Sequence, residues 1–169
     1  MSRGVFRVEG GILVEVVSKD VVNAVIPSGV KVIGGEAFYD CDVLETVFIP
    51  SSVTSIRVGA FRFCFGLSEV LFESGSSLER IESQAFLGCP ALKEIVLPSS
   101  RLCIEDEVFR SCKRLRRVVL SKDLRGLWEK VFFNCSSLEE VVFKLPLGIH
   151  NIPHSLFEEC SDIVLRFEE

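Results

Sequence analysis

The chain has 169 residues, 48% hydrophobic and 25% charged, with a net charge of -5. That length suits one domain with a substantial core, the apolar content excludes a disordered chain, and the interspersed acids and bases give no basic stripe for nucleic acid. No 18-residue apolar run marks a membrane span, and residues 1–11, broken by Arg3, Arg7 and Glu9, lack a signal-peptide core, so the default expectation is the cytosol.

In chain order, residues 12–17 and 21–26 come first and read as a strand pair. We take residues 1–29 as an N-terminal cap and residues 30–169 as a repeat solenoid, together one domain. The repeat is Phe-x-x-Cys-x-x-apolar. It occurs at Phe38-Cys41-Leu44, Phe61-Cys64-Leu67, Phe86-Cys89-Leu92, Phe109-Cys112-Leu115, Phe132-Cys135-Leu138 and Phe157-Cys160-Ile163, with Phe-to-Phe intervals of 23, 25, 23, 23 and 25 residues. An apolar residue sits five positions before each Phe: Ile33, Ile56, Ile81, Ile104, Leu127 and Ile152.

Apolar groups spaced by three predict a short helical turn with one buried face. The alternation that follows, Val47 and Ile49 in the first copy, predicts a strand. Pro27, Pro50 and Pro98 end that strand, and a second short strand such as residues 53–56 leads into the next turn. No rung buries its Phe alone, so the rungs must stack into one core. The expected architecture is a right-handed, curved α+β solenoid of about six rungs plus the cap, its parallel sheet on the concave side. Arg101 stands where Val53 and Leu78 predict an apolar residue, and Lys122-Asp123 replaces Pro-Ser, so a bulge is expected in rung four.

The segments 49–56, 72–86 and 85–92 resemble the repeat of BspA-like leucine-rich-repeat proteins, over about residues 22–163. The resemblance implies a curved solenoid. It also implies a surface role, since many relatives are surface proteins of bacteria and protozoan parasites implicated in adhesion to host cells and matrix.

Six of the seven cysteines hold one repeat position. Neighbouring rungs about 4.7–4.9 Å apart keep their Cβ atoms beyond the disulfide mean of about 3.8 Å, so they read as a ladder of buried thiols. Cys103 is off the ladder. No C-x-x-C pair suggests zinc, and His150 and His154, separated by Pro153, do not read as a metal pair. Trp128 reads as rung packing. No nucleophile-elbow, zincin, dinucleotide or P-loop string occurs, so neither an enzyme nor a cofactor is expected.

The residue between the two inward positions of each long strand must point outward. Those residues are Phe48, Leu71, Val96, Val119 and Val142, all apolar where polar groups are the norm. Beside them run charged columns that include Glu69, Glu94, Arg117 and Glu140, with Arg116 next to Arg117. An apolar stripe with a charged rim predicts a protein-binding surface, with Phe48, Leu71, Val96 and Val119 as anchors and Arg116 and Arg117 as an orienting basic spot. The expected partner is a protein, including host-surface or matrix proteins, with no membrane insertion. The alternative is a self-assembling structural solenoid, homodimeric through the stripe or an open end, or a fragment of a longer repeat protein.

Overall fold

The structure is a computed structural model and describes residues 5–98, 101–145 and 151–169. Each turn of the chain contributes to two rows of strands, and alternation decides which side chains enter between them. The short row is β2 (Ile12–Val16), β4 (Val32–Ile33), β6 (Ser55–Ile56), β8 (Arg80–Ile81), β10 (Cys103–Ile104) and β12 (Gly126–Leu127), parallel throughout. The long row is β3 (Asn23–Val25), β5 (Thr46–Ile49), β7 (Glu69–Phe72), β9 (Glu94–Val96), β11 (Arg117–Leu120), β13 (Glu140–Lys144) and β14 (Val164–Glu168). β1 (Phe6–Glu9) pairs antiparallel with β2 and closes the N-terminal end, with the Phe6 ring 6.0 Å from that of Phe38. β2 and β3 already lie in register with the strands that follow, so the cap segment is itself built as the first turn of the stack.

The Phe-x-x-Cys-x-x-Leu segments correct the expected helical turns. Residues two before and two after each core Phe, such as Glu36 and Asp40 or Glu107 and Ser111, have φ between 54° and 68°, which no α-helix contains. The N–H groups alternate in their use. Cys41 N–H bonds Phe38 O within its own turn, whereas Phe38 N–H bonds Ala60 O of the next turn at 2.8 Å. Phe61, Phe86, Phe109 and Phe132 repeat that link to Ala85, Val108, Val131 and Leu156. A helix would spend every N–H within its own segment; this arrangement satisfies the backbone and ties neighbouring turns together. The one helical turn among the described residues is a 3-10 turn at His154–Phe157. His150 lies outside the described residues.

Phe38, Phe61, Phe86, Phe109 and Phe132 are fully buried and stack in one column. Ring centroids are 4.6, 5.0, 5.4 and 5.7 Å apart in chain order, and Phe157 follows at 5.8 Å. Beside them runs the thiol ladder. From Cys64 onward each ladder thiol donates to the Phe carbonyl of the preceding turn: Cys64 to Phe38 at 3.0 Å, Cys89 to Phe61 at 3.1 Å, Cys112 to Phe86 at 3.3 Å and Cys135 to Phe109 at 3.1 Å. The small side chain thus fills a tight column and supplies a donor to an acceptor that has one lone pair left. Burial pushes the Cys64 and Cys112 thiols up to about 12, and Cys135 higher still.

Thiol chemistry follows from that burial, since the thiolate is the nucleophile. Cys41, Cys64, Cys89, Cys112 and Cys135 are buried, and Cys103 and Cys160 are partly exposed. A chromogenic disulfide reagent at neutral pH is expected to titrate no more than those two thiols in the folded protein and all seven after denaturation. Rapid titration of three or more thiols in the folded state would mean that the column opens.

Rung four does depart from the pattern. Arg101 is exposed and Leu102, one residue later, takes the buried place that Val53 and Leu78 hold in earlier turns. Charge at the predicted position pushes the chain on by one residue, because burying an unpaired guanidinium costs more than a local bulge.

Candidate interaction face

Register places the outward residues of the long row in columns. One reads Asn23, Thr46, Glu69, then Glu94, Arg117, Glu140 and Val164. The next reads Val25, Phe48, Leu71, then Val96, Val119, Val142 and Arg166. Register thus sets the expected stripe in two columns, Val25, Phe48 and Leu71 on one sheet and Val96, Val119 and Val142 on the other.

Its exposure is uneven. Leu71 is 45% and Val96 53% exposed, whereas Val119 is 8% and Val142 0% exposed. Val142 lies between Glu140 and Lys144 on its own strand, and both are pinned. Arg117 bonds Glu140 at 2.7 Å, Arg166 pairs with the same carboxylate, and Lys144 bonds Glu168 at 2.7 Å. The open part of the stripe is thus Val25, Leu71 and Val96, with Phe48 half-buried.

Arg117 also bonds Glu94 at 2.5 Å, so its charge is shared by two carboxylates of its own column. Arg117 and Arg166 hold the Glu140 carboxyl below its usual range, with the Arg117 hydrogen bond the larger cause. Arg116 reaches Glu139 only at 3.9 Å and both are well exposed. Of the expected basic spot, then, Arg116 is available to a partner and Arg117 is engaged. Glu69 makes no ion pair among the described residues.

No ladder joins β7 to β9 among the described residues, so the long row is divided into a three-stranded and a four-stranded sheet. The division falls where Val70 to Ile81 is two residues longer than Val47 to Ile56, with the extra length in the turn after β7. A groove of about 1000 Å³ lies across it. Leu71 and Val96 form its apolar floor with Val119, and Glu69, Lys93 and Lys122 stand among its polar walls. The stripe could be read from alternation in the sequence. The groove could not, because it comes from a missing strand pairing.

Among the described residues no group of three His, Cys, Asp or Glu is placed to hold a metal, and no helix is long and apolar enough to cross a membrane. Trp128 is exposed, not packed into a rung, and its indole reaches the Cys103 thiol.

A family model described as a BspA-type leucine-rich repeat region, with 6 copies, matches residues 18–139 and 60–165. Among solved structures, a leucine-rich repeat protein of T. pallidum superposes with a TM-score of 0.83 at 34% identity, over 93% of this chain and 73% of that one. A leucine-rich cell surface protein from Faecalibacterium prausnitzii superposes at 0.74 with 22% identity, over 99% of this chain and 55% of that one. The pneumococcal vaccine antigen PcpA gives 0.74 at 24% identity, over 96% and 47%. These last two share the fold, and the chain spans about half of their length. No curated protein is significantly similar to the chain.

Proposed function

The chain belongs to the BspA-type leucine-rich-repeat family, and from that premise we propose that it is a non-enzymatic protein-binding module acting through the concave face. The observation that carries this reading is the exposed apolar pair Leu71 and Val96 in a groove of about 1000 Å³ with charged walls. Folded chains seldom leave such a pair uncovered on a sheet face without a partner for it. Leu71 and Val96 are the anchors, Phe48 extends them, and Glu69, Lys93 and Arg116 give the rim its charges. Adhesion to a host-surface or matrix protein is the role that this surface and the family suit best. One structural neighbour is a leucine-rich cell surface protein, which supports that choice.

The test is a Leu71→Glu/Val96→Glu variant. Both positions are exposed, so circular dichroism should match wild type. Surface plasmon resonance against a panel of purified matrix proteins should show wild-type binding to at least one and a loss of tenfold or more in the variant. Equal binding by both proteins, or none by either, would remove the concave face from consideration.

One observation favours a second reading, self-association at the C-terminal end. Leu165 and Phe167 hold inward positions on β14, in register with buried Val141 and Phe143, yet both are exposed. A second copy docking there would cover them. Light scattering at micromolar concentration separates the readings: a dimer lost in Leu165→Lys/Phe167→Lys supports self-association, and a monomer excludes it.

A further inference from the structure

Trp128 is the only tryptophan of the chain, and register sets it outward. It follows Leu127 as Arg57, Glu82 and Glu105 follow Ile56, Ile81 and Ile104, so it stands at a position that earlier turns fill with charge. Its side chain is 47% exposed, yet it is held in place. The indole reaches the Cys103 thiol, and both lie over Gly126, where a Cβ would stand 3.1 Å from Nε1 and 3.0 Å from Sγ. The ring borders a cavity of about 590 Å³ whose other walls are Asp106, Glu107, Glu129 and Lys130. Glu107 is engaged by Arg110 at 2.5 Å, and the Lys130 ammonium lies over the Phe133 ring at 5.7 Å. Asp106 accepts the backbone N–H of Glu129 with one oxygen at 3.0 Å. Neither Asp106 nor Glu129 has an ion pair among the described residues. The half-buried rings of Phe63 and Phe133 are each covered by a guanidinium, Arg62 at 4.8 Å and Arg110 at 4.9 Å. Tryptophan attracts a cation more strongly than phenylalanine, yet no cation covers Trp128 among the described residues.

We propose that this cavity receives an arginine side chain of a protein partner. A guanidinium stacks flat on an aromatic face and keeps the N–H groups of its plane free to donate to carboxylates. Asp106 and Glu129 supply the acceptors beside the ring. The chain already holds one arginine in this way, since Arg110 lies over Phe133 while it bonds Glu107. An ammonium would meet the carboxylates but has no plane to stack. A neutral sugar would stack on the indole but would leave both carboxylates without a counter-charge. The cavity shares no residue with the groove between β7 and β9, so it does not depend on what binds there.

With one tryptophan in the chain, the single indole N–H resonance of isotope-labelled protein reports the site. Titration with the tripeptide acetyl-Gly-Arg-Gly amide should move that resonance to saturation, with weaker binding as salt rises. The same tripeptide with citrulline, which has the shape of arginine without its charge, should bind about tenfold more weakly. An Asp106→Asn/Glu129→Gln variant keeps the ring and an acceptor for the N–H of residue 129; its affinity for the arginine peptide should fall about tenfold. The Leu71→Glu/Val96→Glu variant should match wild type, so failure of the groove reading would leave this result standing. Four outcomes would overturn the proposal: no saturable shift at low salt, equal binding of the citrulline peptide, unchanged affinity in the carboxylate variant, or equal or tighter binding of the lysine tripeptide or of methyl glucoside.

Discussion

Phe86→Ala is expected to lower the free energy of unfolding by about 3–5 kcal/mol, a fall of roughly 6–20 °C in Tm for a chain of this size. Phe86 is fully buried and stacks between Phe61 at 5.0 Å and Phe109 at 5.4 Å, nearly parallel to both. The transfer of its ring from water accounts for part of the loss. The cavity accounts for the rest, because the backbone around it is held on both sides. Phe86 N–H is bonded to Val108 O at 2.9 Å and its carbonyl accepts the Cys112 thiol at 3.3 Å from the next turn, while Ala85 O accepts Phe61 N–H at 2.7 Å from the preceding one. Those bonds keep neighbouring turns at their spacing and prevent collapse into the gap. Phe157→Ala, at the end of the column with only part of its surface buried, should cost less. Urea unfolding followed by circular dichroism measures both. A loss below about 1 kcal/mol for Phe86→Ala would mean that the column closes around the missing ring.

Gly66→Ala is expected to destabilise the fold by about 1–3 kcal/mol through overpacking. The effect is spatial, not conformational, as Gly66 does not have a positive φ. A Cβ there would stand 2.5 Å from Asp42 O and 3.1 Å from Leu44 O, both backbone atoms of the preceding turn. These cannot rotate away, so two turns would have to separate. They are also the two turns whose rings stack most tightly, Phe38 and Phe61 at 4.6 Å. The usual gain from replacing glycine by alanine, about 0.4–1 kcal/mol from the unfolded state, is too small to offset this. Gly35→Ala is the control, because its Cβ would meet only Val58 O at 3.4 Å. If the two variants prove equally stable in urea, the close approach at Gly66 does not constrain the stack.

The columns were legible because a repeat repeats its physics. A residue that must be buried in one turn must be buried in all, so Phe38, Phe61, Phe86, Phe109 and Phe132 declare a core that no single copy would reveal. The same logic located the thiol ladder and the outward stripe. It could not identify the turn type. Apolar residues three apart fit a helical turn, but they also fit two tight turns with left-handed residues at Glu36 and Asp40 and their counterparts. The acceptors that favour the tight turns, such as Ala60 O for Phe38, are more than twenty residues away in sequence, beyond any local reading.

What the sequence by itself determined was membership, period and interior: which side chains face inward, at what interval, and that the turns must stack. Alternation and burial suffice for that, since both act within one turn and its copies. What only the tertiary structure decided was the surface. Val96 and Val142 are the same residue in the same column, yet one is open and the other is fully buried, on a strand whose Glu140 and Lys144 pair with Arg166 and Glu168 of the next strand. Leu102 displaces Arg101 from the core, the β7–β9 pairing is lost and a groove opens, and four arginines spread over four turns come to line one cavity. Burial repeats with the backbone, whereas exposure depends on the particular side chains of neighbouring turns, and stacking alone brings those side chains together.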